Sequence, residues 1–149
     1  MKQENKLLLG KEVSSNLTQE LGSTISDLKK VGIIPKLAAI LIGENPASQI
    51  YVNSKAKFFA RNGCDSETFK FESNASQSDV LAFIDRLNKD DSIHGILVQL
   101  PLPKHFDDEK VLNAIYTTKD VDGFHPYNVG RLFSGDPDFI PCTPHGIIK

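Results

Sequence analysis

Two short, continuous apolar runs constrain the fold of this chain more than any other feature. The first covers residues 37–42 between Pro35 and Gly43, and the second lies within residues 93–100 and stops at Pro101. A strand that is apolar on both faces is typical of a parallel sheet with helices packed on each side. Both runs are far shorter than the ~20 residues of a membrane span. They therefore predict two buried strands of a parallel sheet.

Helical periodicity surrounds these runs. Apolar residues recur at helical spacing along two segments, which predicts helices over residues 13–31 and 77–88. A further helix, over residues 46–62, is predicted from the residues at its ends. Asn45 can cap the second helix and Pro46 can occupy its first position. Ser76 and Asp79 have the spacing of a capping box at the start of the third. Gly32 follows the first helix, where a residue with positive φ is expected.

Weaker signals complete the order of elements. We expect short strands at residues 7–9 and 67–71 and a short helix at 110–115. The order βαβαβα predicts an α/β fold: a three-layer, open, mostly parallel sheet with helices on both faces. Residues 119–141, punctuated by Pro and Gly, predict an ordered loop with at most one helical turn. Thr143 and Pro144 resemble the cap and first residue of another helix.

Composition narrows the possible partners. The 149 residues include 17 Lys and Arg against 19 Asp and Glu, a net charge of -2. This balance excludes general binding to nucleic acid or to an anionic membrane surface. Cys64 and Cys142 are far apart, so the sequence offers neither a disulfide framework nor a metal-ligand cluster. We expect a cytoplasmic protein without a bound metal.

One topological rule selects a candidate site. In open parallel sheets, ligands bind outside the carboxyl ends of the strands. Polar side chains reach that edge from three separate segments: Ser48, Tyr51 and Lys55 after the first run, Gln99 at the end of the second, and Asp120 and Asp122 after the fourth helix. Singly, a mid-helix lysine is more often a solvated residue and an Asp before Gly a turn residue. Their convergence favours a binding site.

Four motifs then identify a family that the chain resembles. They occur in order as Pro46-Ala47-Ser48 with Tyr51-Val52-Asn53-Ser54-Lys55-Ala56-Lys57, Gly95-Ile96-Leu97-Val98-Gln99-Leu100-Pro101-Leu102-Pro103, Lys119-Asp120-Val121-Asp122-Gly123-Phe124 and Pro141-Cys142-Thr143-Pro144. Together they resemble the bifunctional methylenetetrahydrofolate dehydrogenase/methenyltetrahydrofolate cyclohydrolase family. The resemblance extends from residue 9 to the end of the chain.

The resemblance implies a role for each site residue. Lys55 matches the family's catalytic lysine, and Gln99 the glutamine that orients it. Tyr51 matches the aromatic residue that stacks on the aminobenzoyl ring of the folate, and Asp122 the carboxylate that binds the pterin and belongs to the catalytic set. Four further residues would line the same pocket, namely Ser48, Val98, Leu100 and Pro101.

The resemblance also implies the reactions and the organisation. Members oxidise methylene-tetrahydrofolate with NADP and hydrolyse the methenyl product to formyl-tetrahydrofolate, which places them in one-carbon metabolism. The ten glycines include no Gly-x-Gly pair, so we expect NADP to bind a separate Rossmann lobe. Residues 1–140 would form the folate-binding catalytic lobe, and 141–149 the start of a helix leading to the missing lobe. Members are homodimers, whereas this piece alone is expected to be monomeric and to lack dehydrogenase activity.

Two other interpretations of the sequence compete with the folate-binding lobe. The first is the substrate lobe of an amino-acid or shikimate-type dehydrogenase, which also pairs a lysine with an acid but would lack the segment 99–103 and would not bind folate. The second is a flavodoxin-like receiver or binding module. A receiver would carry acids at the end of the first core strand, whereas this sequence has Ile42-Gly43-Glu44-Asn45 there.

Overall fold

The computed structural model describes residues 10–149. The strand expected at residues 7–9 therefore lies outside the described residues. In chain order the elements are α1 (Gly10–Lys30), β1 (Lys36–Ile42), α2 (Pro46–Arg61), β2 (Asp65–Phe71), α3 (Gln77–Lys89), β3 (Gly95–Val98), α4 (Asp108–Asn113), α5 (Pro126–Phe133) and α6 (Cys142–Ile148).

The sheet is parallel, with β1 at its centre. The strand order is β2-β1-β3, and Ile40 lies opposite Phe69 on one side and Val98 on the other. Asp120 forms an isolated parallel bridge with Ile96 on the free side of β3. This bridge places the segment that carries Asp120 and Asp122 along the edge of the sheet formed by β3.

Alternation along β1 creates the three predicted layers, because successive side chains of a strand point to opposite faces. Ala38, Ile40 and Ile42 pack with buried residues of α3 and α4 in the larger core. Leu37 and Ala39 pack with α2 on the other face. The mostly parallel α/β sheet with helices on both faces is thus confirmed.

The predicted helix caps form as expected. Asn45 Oδ1 accepts a hydrogen bond from the Ser48 amide at 3.1 Å, and Pro46 is the first residue of α2. Ser76 Oγ accepts one from the Asp79 amide at 3.1 Å. Because these caps satisfy amides that have no partner within the helix, they fix where α2 and α3 begin.

One sequence prediction is wrong: the stretch 119–141 contains more than one turn of helix. Residues 126–133 form α5, in which Pro126 occupies the first turn and His125 Nδ1 accepts from the Tyr127 amide at 3.1 Å. A proline suits the first turn because its missing N–H would have no helical partner there. The prolines and glycines of this stretch therefore bracket a helix.

Several element boundaries also differ, among them those of α4, β3 and the last helix. The last predicted helix begins at Cys142, so Thr143 is not its cap. α4 covers Asp108–Asn113, with Asp107 as its cap, instead of residues 110–115. β3 covers only Gly95–Val98, although ladder hydrogen bonds to β1 continue from the His94 amide to the Gln99 amide. In the described part of the chain, no helix is long and apolar enough to cross a membrane.

Candidate active site

A cleft of about 730 Å³ opens on the α2 side of the sheet. Its walls come from α2, from the start of β1, from β3 and the residues on either side of it, from the segment after the Asp120 bridge and from the start of α6. It contains six of the eight residues that the sequence singled out for a folate site: Tyr51, Lys55, Val98, Gln99, Leu100 and Asp122. The structure therefore places predicted site residues from three separate segments in one cleft.

Lys55 and Gln99 meet across the cleft. Lys55 Nζ lies 3.5 Å from Gln99 Oε1, with Lys55 on α2 and Gln99 one residue beyond β3. The other end of the Gln99 amide is fixed, because its Nε2 donates to the Leu100 carbonyl at 2.9 Å. That bond leaves Oε1 as the atom turned toward the lysine. The amide therefore holds the amine in place without adding a negative charge beside it.

Ser48 and Pro101 lie outside the cleft walls. Ser48 is only 3% exposed, and its Oγ donates to the Leu100 carbonyl at 3.4 Å. The same carbonyl accepts from Gln99, so Ser48 supports the backbone that carries the cleft residues. Pro101 is exposed and follows a cis peptide bond after Leu100.

Asp122 is a partly buried carboxylate on the wall that faces Lys55. Burial raises the pKa of this carboxyl above its ordinary value, and the charge of Asp120 raises it further. The Lys55 ammonium acts in the opposite direction. A carboxylate with little water around it interacts more strongly with a ligand donor than an exposed one does. Asp122 can therefore accept paired hydrogen bonds from neighbouring N–H groups.

Tyr51 provides a flat surface near the open side of the cleft. It lies one helical turn before Lys55 and is 63% exposed. An exposed tyrosine ring beside a cleft can stack on a planar ligand with little loss of side-chain entropy. The arrangement thus combines an amine with a fixed neighbour, a shielded carboxylate and an aromatic face in one cleft.

Comparison with known proteins shows to which family this chain belongs. Residues 8–122 match the family model described as "Tetrahydrofolate dehydrogenase/cyclohydrolase, catalytic domain". This chain belongs to the tetrahydrofolate dehydrogenase/cyclohydrolase family. The family resemblance of the four sequence motifs is confirmed, and the two competing readings are set aside.

Individual relatives agree with the family match. The bifunctional protein FolD of Acetivibrio thermocellus is 53% identical over 146 residues, which cover 98% of this chain and 51% of that protein. FolD of Oceanobacillus iheyensis is 50% identical over 142 residues, covering 95% of this chain and 50% of its own length. The chain thus spans about half the length of the curated relatives it matches.

Solved structures confirm the fold of this family member. The bifunctional FolD methylenetetrahydrofolate dehydrogenase/cyclohydrolase from Campylobacter jejuni superposes with a TM-score of 0.93 at 49% identity, covering 96% of this chain and 51% of that one. The Trypanosoma brucei FolD, solved with NADP and an inhibitor, superposes with a TM-score of 0.90 at 32% identity, covering 96% and 50%.

The cleft of this tetrahydrofolate dehydrogenase/cyclohydrolase lobe also contains residues that the sequence analysis did not select. Phe59 follows Lys55 by four residues and therefore lies on the same face of α2, so helical spacing could have found it. Val121 and Phe124 flank Asp122 in sequence. Cys142 and Thr143 line the cleft from the start of α6. Both belong to the fourth motif of the family resemblance, but only the fold shows that they lie beside the cleft.

The described residues do not fit a dinucleotide. Such cofactors place their phosphates on a glycine-rich turn between a strand and a helix. The loop from β1 to α2 is Gly43-Glu44-Asn45 before Pro46, with a single glycine, and β3 is followed by Gln99, Leu100 and Pro101. Within residues 10–149 no group of three or more His, Cys, Asp or Glu side chains is placed to hold a metal.

Proposed function

We propose that this chain is the folate-binding catalytic lobe of a bifunctional methylenetetrahydrofolate dehydrogenase/methenyltetrahydrofolate cyclohydrolase. The observation that carries the proposal is the Lys55–Gln99 contact at 3.5 Å in the same cleft as Asp122. A lysine with a fixed orientation suits proton transfer, and a shielded carboxylate suits recognition of a ring with adjacent N–H donors.

Asp122 would anchor the substrate. The pterin ring presents neighbouring N–H groups, and one carboxylate can accept two parallel hydrogen bonds from them. Tyr51, near the open side of the cleft, would stack on the aminobenzoyl ring. Leu100 contributes apolar wall between them, whereas Val98 borders the cleft from β3 with its side chain in the core on the other face of the sheet. These contacts would place the one-carbon bridge of the folate beside Lys55.

Lys55 would then move the protons of the hydrolytic step. As the free amine it accepts a proton from a water molecule while the water oxygen forms a bond to the methenyl carbon. One carbon–nitrogen bond of the bridge then breaks, the freed nitrogen takes up a proton from the lysine, and the hydroxyl proton leaves to solvent. The products are formyl-tetrahydrofolate and one proton. Gln99 keeps the amine directed toward the bridge.

The oxidative step needs a hydride acceptor, and the described residues do not fit one. We propose that this lobe positions methylene-tetrahydrofolate while NADP binds a second lobe of the longer enzyme. Residues 1–140 would form the folate lobe, and residues 141–149, which include α6, the start of the connection. We expect the longer enzyme to be a cytoplasmic homodimer and the lobe alone to be a monomer.

The test is a titration with methenyl-tetrahydrofolate that follows both binding and loss of the methenyl chromophore. We expect the wild-type chain to bind and hydrolyse this folate. Lys55→Met should bind but lose hydrolysis by about 100-fold or more, the usual contribution of a general base. Lys57→Met, an exposed position on the same helix, is the matched control and should hydrolyse normally. A folded wild-type chain that does not bind, or a Lys55→Met variant with normal hydrolysis, would contradict the proposal.

A further inference from the structure

Asp120 is a buried acid close to the proposed substrate anchor. It is the one buried acidic side chain within residues 10–149, at 2% exposure, and it lies two residues before Asp122. It does not line the cleft. An ionisable group is rarely buried in this way unless it is paired or fully hydrogen-bonded. Its contacts therefore indicate what it does.

The Asp120 carboxylate joins the loop that carries Asp122 to α5. Its Oδ2 accepts from the His125 amide at 2.9 Å and from Asn128 Nδ2 at 2.9 Å. The second N–H of the Asn128 amide donates to the Thr117 carbonyl at 3.0 Å. Because both partners of Nδ2 are acceptors, a rotated amide would set oxygen against oxygen. The orientation of Asn128 is thus fixed by its neighbours.

The backbone of the same segment is held at its other end by the sheet. Ile96 of β3 donates to the Lys119 carbonyl at 2.8 Å, and Asp120 bridges to Ile96. The Gly123 amide closes the turn on the Asp120 carbonyl at 3.3 Å. Residues 120–125 therefore form a loop that is held at both ends. Asp120 is bridged to β3, and the His125 amide is bonded to the Asp120 carboxylate, with Asp122 between these two attachments.

We propose that Asp120 and Asn128 are positioning residues of the folate site: they fix the loop that presents Asp122 to the pterin, and Asp120 places a second negative charge behind that anchor. The inference rests on the proposed function, since it concerns the carboxylate assigned to the pterin. Neither residue touches the substrate. Both act through Asp122.

The negative charge of Asp120 also affects the protonation of Asp122. Asp120 raises the pKa of Asp122, together with burial, and Lys55 on α2 opposes them. The remaining titratable groups that face the cleft are Tyr51, Lys36, His94 and Cys142. If ionised Asp122 accepts the pterin donors, binding weakens as the pH falls through the pKa of Asp122. Removing the charge of Asp120 lowers that pKa, so binding should persist to lower pH.

The experiment measures the Kd of methenyl-tetrahydrofolate at a series of pH values, from about 4, the ordinary pKa of a carboxyl, up to neutrality. The Lys55→Met background prevents turnover and removes the cationic charge that opposes Asp120 at the Asp122 carboxyl. In that background Asp120→Asn should move the acid limb of binding to lower pH. Asp120→Ala and Asn128→Ala, which loosen the loop, should weaken binding about tenfold at neutral pH, the equivalent of one hydrogen bond to a charged group.

A matched control variant and the pH dependence of binding separate a positioning role of Asp120 from a purely structural one. Asp136→Asn removes the same charge from an exposed ion pair with Arg131 and should leave both the Kd and the acid limb unchanged. An equal loss of affinity at every pH in Asp120→Asn, or an acid limb that does not move, would overturn the inference even if the variants fold normally. Asp120→Asn is nearly isosteric and provides the test should Asp120→Ala fail to fold.

The failure of the proposed function has a different result. If Asp122→Ala binds methenyl-tetrahydrofolate as tightly as its parent, the pterin is bound elsewhere. Both the role of Asp122 in the proposed function and the positioning role of Asp120 and Asn128 are then contradicted. If Asp122→Ala weakens binding while Asp120→Asn and Asn128→Ala change neither affinity nor pH dependence, only the inference about the positioning pair is overturned.

Discussion

Gln99 Oε1 faces Lys55 Nζ at 3.5 Å because the other end of the same amide is bonded to the Leu100 carbonyl. The glutamine is thus directed by the backbone next to it, and the lysine by the glutamine. Ser48 donates to that same carbonyl, which ties the start of α2 to the end of β3. The orientation of the amine therefore depends on one short stretch of backbone.

Replacing Gln99 should reduce hydrolysis without removing the lysine. Gln99→Leu keeps much of the side-chain volume and removes the acceptor for Lys55. We expect the kcat for methenyl-tetrahydrofolate hydrolysis to fall by about tenfold to a hundredfold, the usual effect of a misplaced catalytic group. Steady-state kinetics measure this, with Gln19→Leu on the exposed side of α1 as control. A normal kcat in Gln99→Leu would show that Lys55 is oriented by something else.

Asp122 should affect folate binding strongly. Asp122→Ala removes a carboxylate from the cleft, and the loss of a hydrogen bond to a charged group costs about 1.5 to 3 kcal/mol. The Kd for methenyl-tetrahydrofolate should therefore rise by about tenfold to more than a hundredfold. Calorimetric titration would measure it, and an unchanged Kd would contradict the role of Asp122 as the pterin anchor.

The same residue should make the fold less stable at neutral pH. Burial raises the pKa of Asp122 in the folded chain. A raised pKa means that its stabilising contribution is complete below the unfolded value of about 4 and is lost as the pH rises through the folded value. Asp122→Asn should therefore have a higher Tm than wild type at pH 7 and a similar Tm in acid. Thermal unfolding at several pH values tests this; a lower Tm at pH 7 would contradict it.

Much of this site was predictable because its residues follow simple spacing rules. Tyr51, Lys55 and Gln99 were found from helical periodicity and from a polar residue at the end of an apolar strand. Ser48 was also selected, but the same geometry buries it behind the cleft, because its hydroxyl bonds to the Leu100 carbonyl. Periodicity gives the face of a helix and not the depth of each side chain on it.

Other features of the site were missed by the sequence analysis. The partners of Asp120 are the His125 amide and Asn128, which lie at the cap and within a helix that the sequence analysis predicted to be a loop. Pro126 was the missed signal, since a proline is favoured at the first turn of a helix. Cys142 and Thr143, at the start of α6, line the cleft through tertiary structure, which local sequence patterns do not give.

Asn88 should contribute to stability through two backbone groups that it satisfies. Its Nδ2 donates to the Ala114 carbonyl at 2.8 Å and its Oδ1 accepts from the Tyr116 amide at 2.9 Å, which joins α3 to the segment after α4. Asn88→Ala leaves both groups without these bonds and should lower the free energy of unfolding by about 2 to 4 kcal/mol. Denaturant titration measures the loss. Asn113→Ala, an exposed position on α4, should change it by less than about 0.5 kcal/mol.

Gly95 should be intolerant of even one methyl group because of the residue packed over it. A Cβ at Gly95 would lie 2.5 Å from Val121 Cγ1, and valine has few alternative rotamers. Val121 directly precedes Asp122, so a displaced valine would also move the pterin anchor. Gly95→Ala should therefore lower the free energy of unfolding by about 1 to 3 kcal/mol and weaken folate binding.

The clash can be separated from a loss of backbone freedom by a second substitution. Val121→Ala removes the methyl group that the new Cβ would meet, so the double variant should recover part of the stability and of the folate affinity that Gly95→Ala loses. The coupling in a double-mutant cycle should reach about 1 kcal/mol or more for residues in direct contact. If the two effects simply add, the cost at Gly95 comes from its own backbone. The close packing of Val121 would then not be what positions Asp122.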